Sequence, residues 1–387
     1  MWNWQYPSWP NSIHKIDELW LAQAMFEREC GIFVGASQHL SAHEQQNLHI
    51  ELLTQDATST SEIEGEILDS NSVQSSIQRH LGLKAPIRSA PAEAGIAELM
   101  VDLYRNAQNP IDEARLYHWH SMIMNGRRYV GIGSYRDHSE PMQVISGALG
   151  KENVHYEAPP SSRVPHAMKQ FIGWLNNHNT HKLPSIAVAG IAHIWFESIH
   201  PFEDGNGRIG RAISEKILST DRQNSSLLTL ISPTIIKHKK QYYDQLHTAS
   251  VSLDITGWLR WFACIAIESQ RLSTTTVKLI IEKHTRFSKH KETLNERQKK
   301  ALSKLYQYGV GGFTGGMSAS NYRNITGATQ PTATRDLNSL VDISLLTKTG
   351  DKKSTRYWLN TSIQTIEQVL WSDIMCAASP PNPRIIA

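Results

Sequence analysis

Apolar residues recur at helical spacing along most of the chain, so the pattern predicts a mainly helical protein. Helical stretches run over about 14–30 and 39–54, then over 91–107 and 112–124, the last starting near Asp112 and ending at Gly126. Another covers Val164 to Asn177. Ile186 to Phe196 is apolar almost throughout and reads as a helix buried on all sides that gives out near Ser198. Arg208 to Leu218 reads as a second helix, and Ser232-Pro233 caps one that contains Tyr242 and Tyr243. A long amphipathic helix or helix pair follows over about 255–285, with Trp258, Trp261 and Phe262 on its apolar side. Strand signals are short. Met142 to Gly147 and Asn153 to Tyr156 flank a glycine-containing turn and read as a hairpin, which Pro159-Pro160 ends.

The polar, charged stretch Lys283 to Glu292 reads as a linker or an exposed helix end, and after it the pattern restarts. Helices are predicted from Leu294 to about Tyr308, from Ser318 to Ile325, and from a Thr329 cap with Pro331 in the first turn to Val341. Leu345 to Lys348 and Thr355 to Leu359, joined through Gly350-Asp351, form a second hairpin. The last 25 or so residues, with Pro380, Pro381 and Pro383, are expected to fray.

Composition narrows the class. The 387 residues suffice for two or three domains, and a formal charge of +3 is too small to argue a nucleic-acid partner from the whole chain. Cys30, Cys264 and Cys376 are far apart and lack CxxC spacing, which favours reduced thiols and a cytoplasmic setting. The start has no basic-then-apolar leader, and no run of about eighteen uncharged apolar residues appears, so neither export nor a membrane partner is expected. Trp2, Trp4, Tyr6 and Trp9 crowd the first ten residues; such an arm packs on the body as a strap, with a partner or homodimer contact as the alternative.

The chemistry concentrates between the two central helices, in His200-Pro201-Phe202-Glu203-Asp204-Gly205-Asn206-Gly207-Arg208-Ile209-Gly210-Arg211. Gly205-Asn206-Gly207 is a tight turn at a helix N-terminus, where unpaired N–H groups and the helix dipole bind anions. Arg208 and Arg211, three apart, share a helix face and reach the same polyphosphate. Asp204 is a hard oxygen ligand suited to a Mg²⁺ that arrives with nucleotide phosphates. His200 stands close enough to take a proton from an attacking hydroxyl. Each residue alone has a plain reading as turn or core. Together they fit eight fixed positions, His-x-Phe-x-Asp-Gly-Asn-Gly-Arg-x-x-Arg, a match whose chance probability is on the order of 10⁻⁸.

This stretch resembles the signature of Fic (filamentation induced by cAMP) domain proteins at every position. The resemblance implies a Fic-type helical core with a short β-hairpin flap. It also implies transfer of AMP from ATP to a Ser, Thr or Tyr hydroxyl of a target protein. His200 would be the base, Asp204 would hold Mg²⁺ between the α- and β-phosphates, and Gly205, Asn206 and Gly207 would form the anion hole. Arg208 and Arg211 would hold the β- and γ-phosphates, and Phe202 would anchor the loop. Kinase-like relatives depart at the turn's second glycine, here Gly207.

Other segments take their meaning from that resemblance. Ser61 with Glu64 reads by itself as a capping box at a helix start. Thr60-x-x-x-Glu64-Gly65, however, matches the family's inhibitory motif, in which the glutamate pairs with the second signature arginine, here Arg211, and repels the γ-phosphate. The same glutamate orients a water for AMP removal in some relatives, and the sequence leaves both roles open. The 142–156 hairpin sits where the family carries its flap, which pairs with the target's backbone. Tyr242 and Tyr243 are candidates for the adenine pocket, with the core as the alternative; Ser250 stands where many relatives have an asparagine. Three helices and a hairpin near the end resemble a winged helix. Six Lys or Arg against three Asp from Asn321 to Asn360 give a local excess of +3, leaving DNA binding, protein docking and dimerisation open. The expected organisation is an N-terminal extension with an inhibitory helix (1–90), a catalytic core (91–285), a winged helix (293–361) and a tail (362–387).

Overall fold

The computed structural model describes residues 1–85, 87–127, 131–146, 153–177, 182–220, 229–307, 309, 315–364 and 366–377. The chain divides into two compact units: Met1–Val34 with His49–Ser273 and Gln368–Ala387, and Gly35–Leu48 with Thr274–Glu367. Helices α1 (Leu19–Ser37) and α2 (Ala42–Ile63) come first, then α3 (Ser70–His80), α4 (Pro91–Arg105) and α5 (Glu113–Ile123). The hairpin β1 (Gln143–Ser146) and β2 (Asn153–Glu157) precedes α6 (Val164–Asn176), α7 (Ser185–Ile199) and α8 (Asn206–Thr220). After these come α9 (Ile231–Lys237), α10 (Lys239–Ser250) and α11 (Thr256–Lys289). The second unit carries α12 (Glu296–Gln307), α13 (Ala319–Thr326), α14 (Gln330–Asp342) and the hairpin β3 (Leu346–Thr349) and β4 (Arg356–Leu359). The short α15 (Trp371–Ala377) follows.

Helix α7 is the axis of the first unit because its sequence offers almost nothing to water: of its side chains only those of Trp195 and Glu197 escape full burial. Burying each large aliphatic or aromatic side chain there stabilises by roughly 1.5–3 kcal/mol. Phe171 and Trp174 of α6 meet Trp195 at 5.5 Å each, and Trp258 of α11 donates its indole N–H to the Gly190 carbonyl at 2.8 Å. Gly190 lets α11 come that close, since a methyl group there would stand 2.8 Å from Leu259. Helix α8 packs along α7 through His193, whose Nδ1 is 3.1 Å from the Ser214 hydroxyl. Asp112 caps α5 through the Arg115 N–H at 2.8 Å. The aromatic arm does lie on the body: Asn3 donates to the Ser198 hydroxyl at 2.7 Å and the Trp4 indole donates to the Glu157 carbonyl at 2.7 Å.

The second unit has its own core of Leu302, Leu305, Met317, Leu337, Leu340 and Tyr357. Its hairpin pairs Leu346 with Leu359 and Thr349 with Arg356, and Met317 bridges to Tyr357. Asp336 of α14, nearly buried, accepts from Arg297 at 2.9 Å and from Tyr322 at 3.0 Å, tying α12, α13 and α14 together.

Several local readings change. Ser61 lies in the last turn of α2, so it caps no helix start, and Glu64 follows the helix end. Helix α3 had no counterpart in the pattern, because its buried face is Ser72, Val73, Ser75, Ser76 and Ile77, largely serine, with Asp69 as its cap. The single helix expected around Tyr242 is two, broken at His238, and α11 runs on to Lys289. The short α15 occupies part of the stretch expected to fray. The Gly147 turn of the first hairpin and the prolines near the C-terminus lie outside the described residues.

Candidate functional site

The site forms where α7 stops. His200 closes that helix in the left-handed region (φ 49°, ψ 60°), a conformation a non-glycine residue holds only when its surroundings impose it. Arg136 imposes it. Its guanidinium donates to the carbonyls of His200 (2.8 Å), Pro159 (2.6 Å) and Ile199 (3.3 Å), while its own N–H meets the Pro201 carbonyl at 2.9 Å. Nothing in the sequence marked Arg136, since a lone arginine in a loop has no periodicity.

The loop then turns into α8. Phe202 is fully buried and stacks on His120 at 4.2 Å. The Asn206 side chain spans the turn, accepting from the Phe202 N–H at 2.9 Å and donating to its carbonyl at 2.8 Å. Its amide therefore shapes the loop, and what the turn offers an anion is backbone. Gly205 sits at φ +83°, where a methyl group would stand 2.5 Å from Ile123. At Gly207 a methyl group would collide with the Glu64 carboxylate, so that carboxylate lies directly over the first turn of α8.

Arg211 is buried and donates to the Thr60 hydroxyl (2.8 Å), the Thr60 carbonyl (2.9 Å) and Glu64 Oε1 (2.7 Å). Burial opposes its charge, but the Glu64 carboxylate overrides that and holds the guanidinium firmly protonated. Gly65 takes φ +83°, turning the chain immediately after Glu64. Arg208, also buried, pairs with Glu66 at 3.0 Å and with Asp204 at 3.4 Å. Arg127 joins Asp204 at 3.1 Å and Glu66 at 3.3 Å. The Asp204 carboxylate also accepts from the Gly205 N–H at 2.6 Å.

A cavity of about 500 Å³ opens here, lined by His200, Gly207, Glu64, Glu197, Tyr242 and Tyr243, with both strands of the first hairpin at its edge. Tyr242 is buried and its hydroxyl lies 2.9 Å from His193 Nε2, so it is core and cavity wall at once. Tyr243 is partly exposed and donates to the Ile63 carbonyl at 3.1 Å. Ser250 also lines the space. Burial, reinforced by the Arg136 charge, lowers His200 to about 4, against a backbone hydrogen bond at Glu197 that favours protonation. Glu197 was not foreseen. Burial and then the Glu64 charge push it up to about 8, and its Oε2 stands 3.9 Å from His200 Nδ1.

No group of three or more His, Cys, Asp or Glu side chains fit to hold a metal occurs among the described residues. The donor set at the loop is the single Asp204 carboxylate, 41% exposed, which fits a cation delivered with nucleotide oxygens better than a resident ion. No helix among the described residues is long and apolar enough to cross a membrane.

Residues 110–218 match the family model for the Fic/DOC family. Over this segment the chain is similar to the Fic/DOC family. A domain of unknown function (DUF4172) matches residues 2–83, ahead of the Fic segment. The chain is 33% identical over 99 residues to a protein named protein adenylyltransferase Fic from Culex quinquefasciatus, covering 25% of this chain and 18% of that one. It is 40% identical over 63 residues to a probable protein adenylyltransferase of Aquifex aeolicus, covering 16% of this chain and 19% of the relative. The chain thus spans less than a fifth of those relatives' lengths. A crystal structure of a Fic family protein from Desulfovibrio desulfuricans G20 superposes with a TM-score of 0.50 at 21% identity, covering 89% of this chain and 97% of that one. That likeness establishes the Fic fold.

Proposed function

We propose that this Fic protein is a protein adenylyltransferase that moves AMP from ATP to a hydroxyl of a target protein and rests with Glu64 on Arg211. The observation that carries this reading is that His200, the Gly207 end of α8 and the Glu64 carboxylate meet in one cavity. The backbone hydrogen bond at Glu197 occupies one ring nitrogen of His200, leaving the other to accept a proton from the incoming hydroxyl. The hydroxyl oxygen bonds to the α-phosphorus, the bond to the β-phosphate oxygen breaks, and pyrophosphate leaves with its electron pair. Amide groups at the start of α8 and the two signature arginines stabilise the charge that builds up, the main source of rate in this kind of transfer. Asp204 would hold the Mg²⁺ that comes with ATP, and that ion would neutralise the phosphates.

At rest, Glu64 Oε1 takes the Arg211 donor that a γ-phosphate needs and places negative charge where that phosphate would go. Incubation with α-labelled ATP tests the whole reading. Glu64→Gly should label protein at least tenfold faster than the parent chain, roughly the effect of regaining one charge-assisted hydrogen bond. His200→Ala in that background should abolish the label, and Asp204→Ala should abolish Mg²⁺-dependent turnover. A Glu64→Gly protein that labels nothing above its His200→Ala control removes the transferase reading.

A second reading draws on α14. Thr334, Arg335 and Asn338 are exposed along it, while Asp336 turns inward to Arg297, so the helix presents a polar, basic face with its nearest acid neutralised. In that reading α12–α14 and the β3–β4 hairpin are a winged helix that contacts DNA, and the Fic domain senses nucleotide. Salt-dependent DNA retention without any protein labelling would favour it.

A further inference from the structure

The two signature arginines are not the only guanidinium groups at the phosphate end of the site. Asp204, Arg127, Glu66 and Arg208 close a ring of alternating charge. Arg127 meets Asp204 Oδ2 at 3.1 Å and Glu66 Oε1 at 3.3 Å, while Arg208 meets Glu66 Oε2 at 3.0 Å and Asp204 Oδ1 at 3.4 Å. We propose that Arg127 is a third phosphate-binding arginine and that Glu66 occupies it together with Arg208 in the resting chain. The proposal rests on the reading of the cavity as a nucleotide site and adds a second internal mimic of a phosphate beside Glu64.

The geometry of the bridge is the first reason. A single carboxylate offers one oxygen to each of two guanidinium groups, and the peripheral oxygens of a phosphate can make the same two contacts. The second reason is that Arg127 is placed rather than loose. Gly126 ends the α5 region at φ +85°, with Pro91 only 2.8 Å from where its side chain would begin, and the Arg127 N–H is tied to the Met124 carbonyl at 3.0 Å. Third, Arg208 is only 3% exposed and keeps Asp204 at 3.4 Å as a second anionic partner, so an incoming anion that takes the place of Glu66 leaves the buried guanidinium paired throughout. Exchange with a polyphosphate satisfies that condition, and Arg127, 39% exposed, then faces the same ligand. Finally, Glu64 and Glu66 both donate their backbone N–H to the Ser61 carbonyl, at 3.1 and 3.0 Å. The two carboxylates therefore hang from one anchor at the end of α2, and moving that segment frees Arg208, Arg211 and Arg127 together.

Isothermal titration of the full chain with ATP and with AMP, in Mg²⁺, tests this without requiring any transfer of AMP. Glu66→Gln removes the charge and keeps the shape. It should tighten ATP roughly fivefold to thirtyfold, the scale of charge-assisted hydrogen bonds regained, and leave AMP unchanged. Adding Arg127→Gln should cancel most of that gain, and Arg127→Lys, a point cation without the fork, should restore part of it. ATP affinity equal in Glu66→Gln and the parent, or a gain that survives Arg127→Gln, overturns the proposal alone. Absence of ATP binding in Glu64→Gly and Glu66→Gln alike overturns the nucleotide site and this inference with it. Thermal melts of each variant separate lost binding from lost folding.

Discussion

At the scale of single residues, burial decides the chemistry. An imidazole in water titrates near 6.5, whereas His200 is lowered to about 4 because its charged form is desolvated and faces Arg136. Its base form therefore persists well into acid. The kcat/KM of Glu64→Gly for labelled ATP should stay flat from pH 7 down to about pH 5, and an acid limb centred near 6.5 would show that another group is the base. Arg136 reaches its effect through backbone: by holding the carbonyls on either side of the α7 end, it fixes a strained histidine at the mouth of the cavity. Burial, and then the nearby Glu64 charge, raise the Glu197 carboxyl beside that imidazole to about 8. Arg136 and Glu197 were not legible in the sequence, because their roles depend on what lies across from them.

At the scale of elements, close packing of helices is set by glycines and by who faces whom. Gly95 of α4 lies so close to the Met122 carbonyl of α5 that a methyl group would collide with it. Gly95→Ala should destabilise by about 1–3 kcal/mol, visible as a lower urea midpoint with an unchanged slope, and an unaltered midpoint would refute the contact. Much of the helical frame could be read in advance, α7 and α8 most clearly, since a long apolar run followed by a glycine-rich turn admits few alternatives. The turn from His200 into α8 was equally legible, because its spacing is local. Helix α3 was not: its serines are buried by partners that no short window contains. Nor was the true place of Ser61, whose capping pattern is satisfied by spacing alone while the structure uses Ser61 to end α2 and anchor two glutamates. Arg127 escaped for the same reason, its significance resting on Glu66 some sixty positions earlier.

At the scale of the whole molecule, the first unit stores acidity in its interior. Glu215 of α8 is pushed up to about 8 by burial and by the charge of Asp56, and Asp56 is itself raised by burial. Between the ordinary carboxylate range and about pH 8 the folded chain then holds more protons than the unfolded one, so stability falls as pH rises. The buried His120, His193 and His200, all lowered, push the other way, an effect that fades as pH rises past their ordinary value of 6.5. From pH 6.5 to 8 the acids outweigh the histidines, each acid contributing at most ~1.4 kcal/mol per pH unit. The Tm should be lower at pH 8 than at pH 6.5 and should fall less across this window in Glu215→Gln, where Glu197 still titrates; a parent Tm that does not fall across this window would sink the claim. The aromatic arm has a different reach. Trp2 lies against Tyr156, Trp4 holds the last carbonyl of β2, and Asn3 grips Ser198, so the opening residues brace two pieces of the cavity wall from outside. Trimming a few N-terminal tryptophans for convenience in expression would therefore slacken the cavity while leaving in the polypeptide every side chain that lines it.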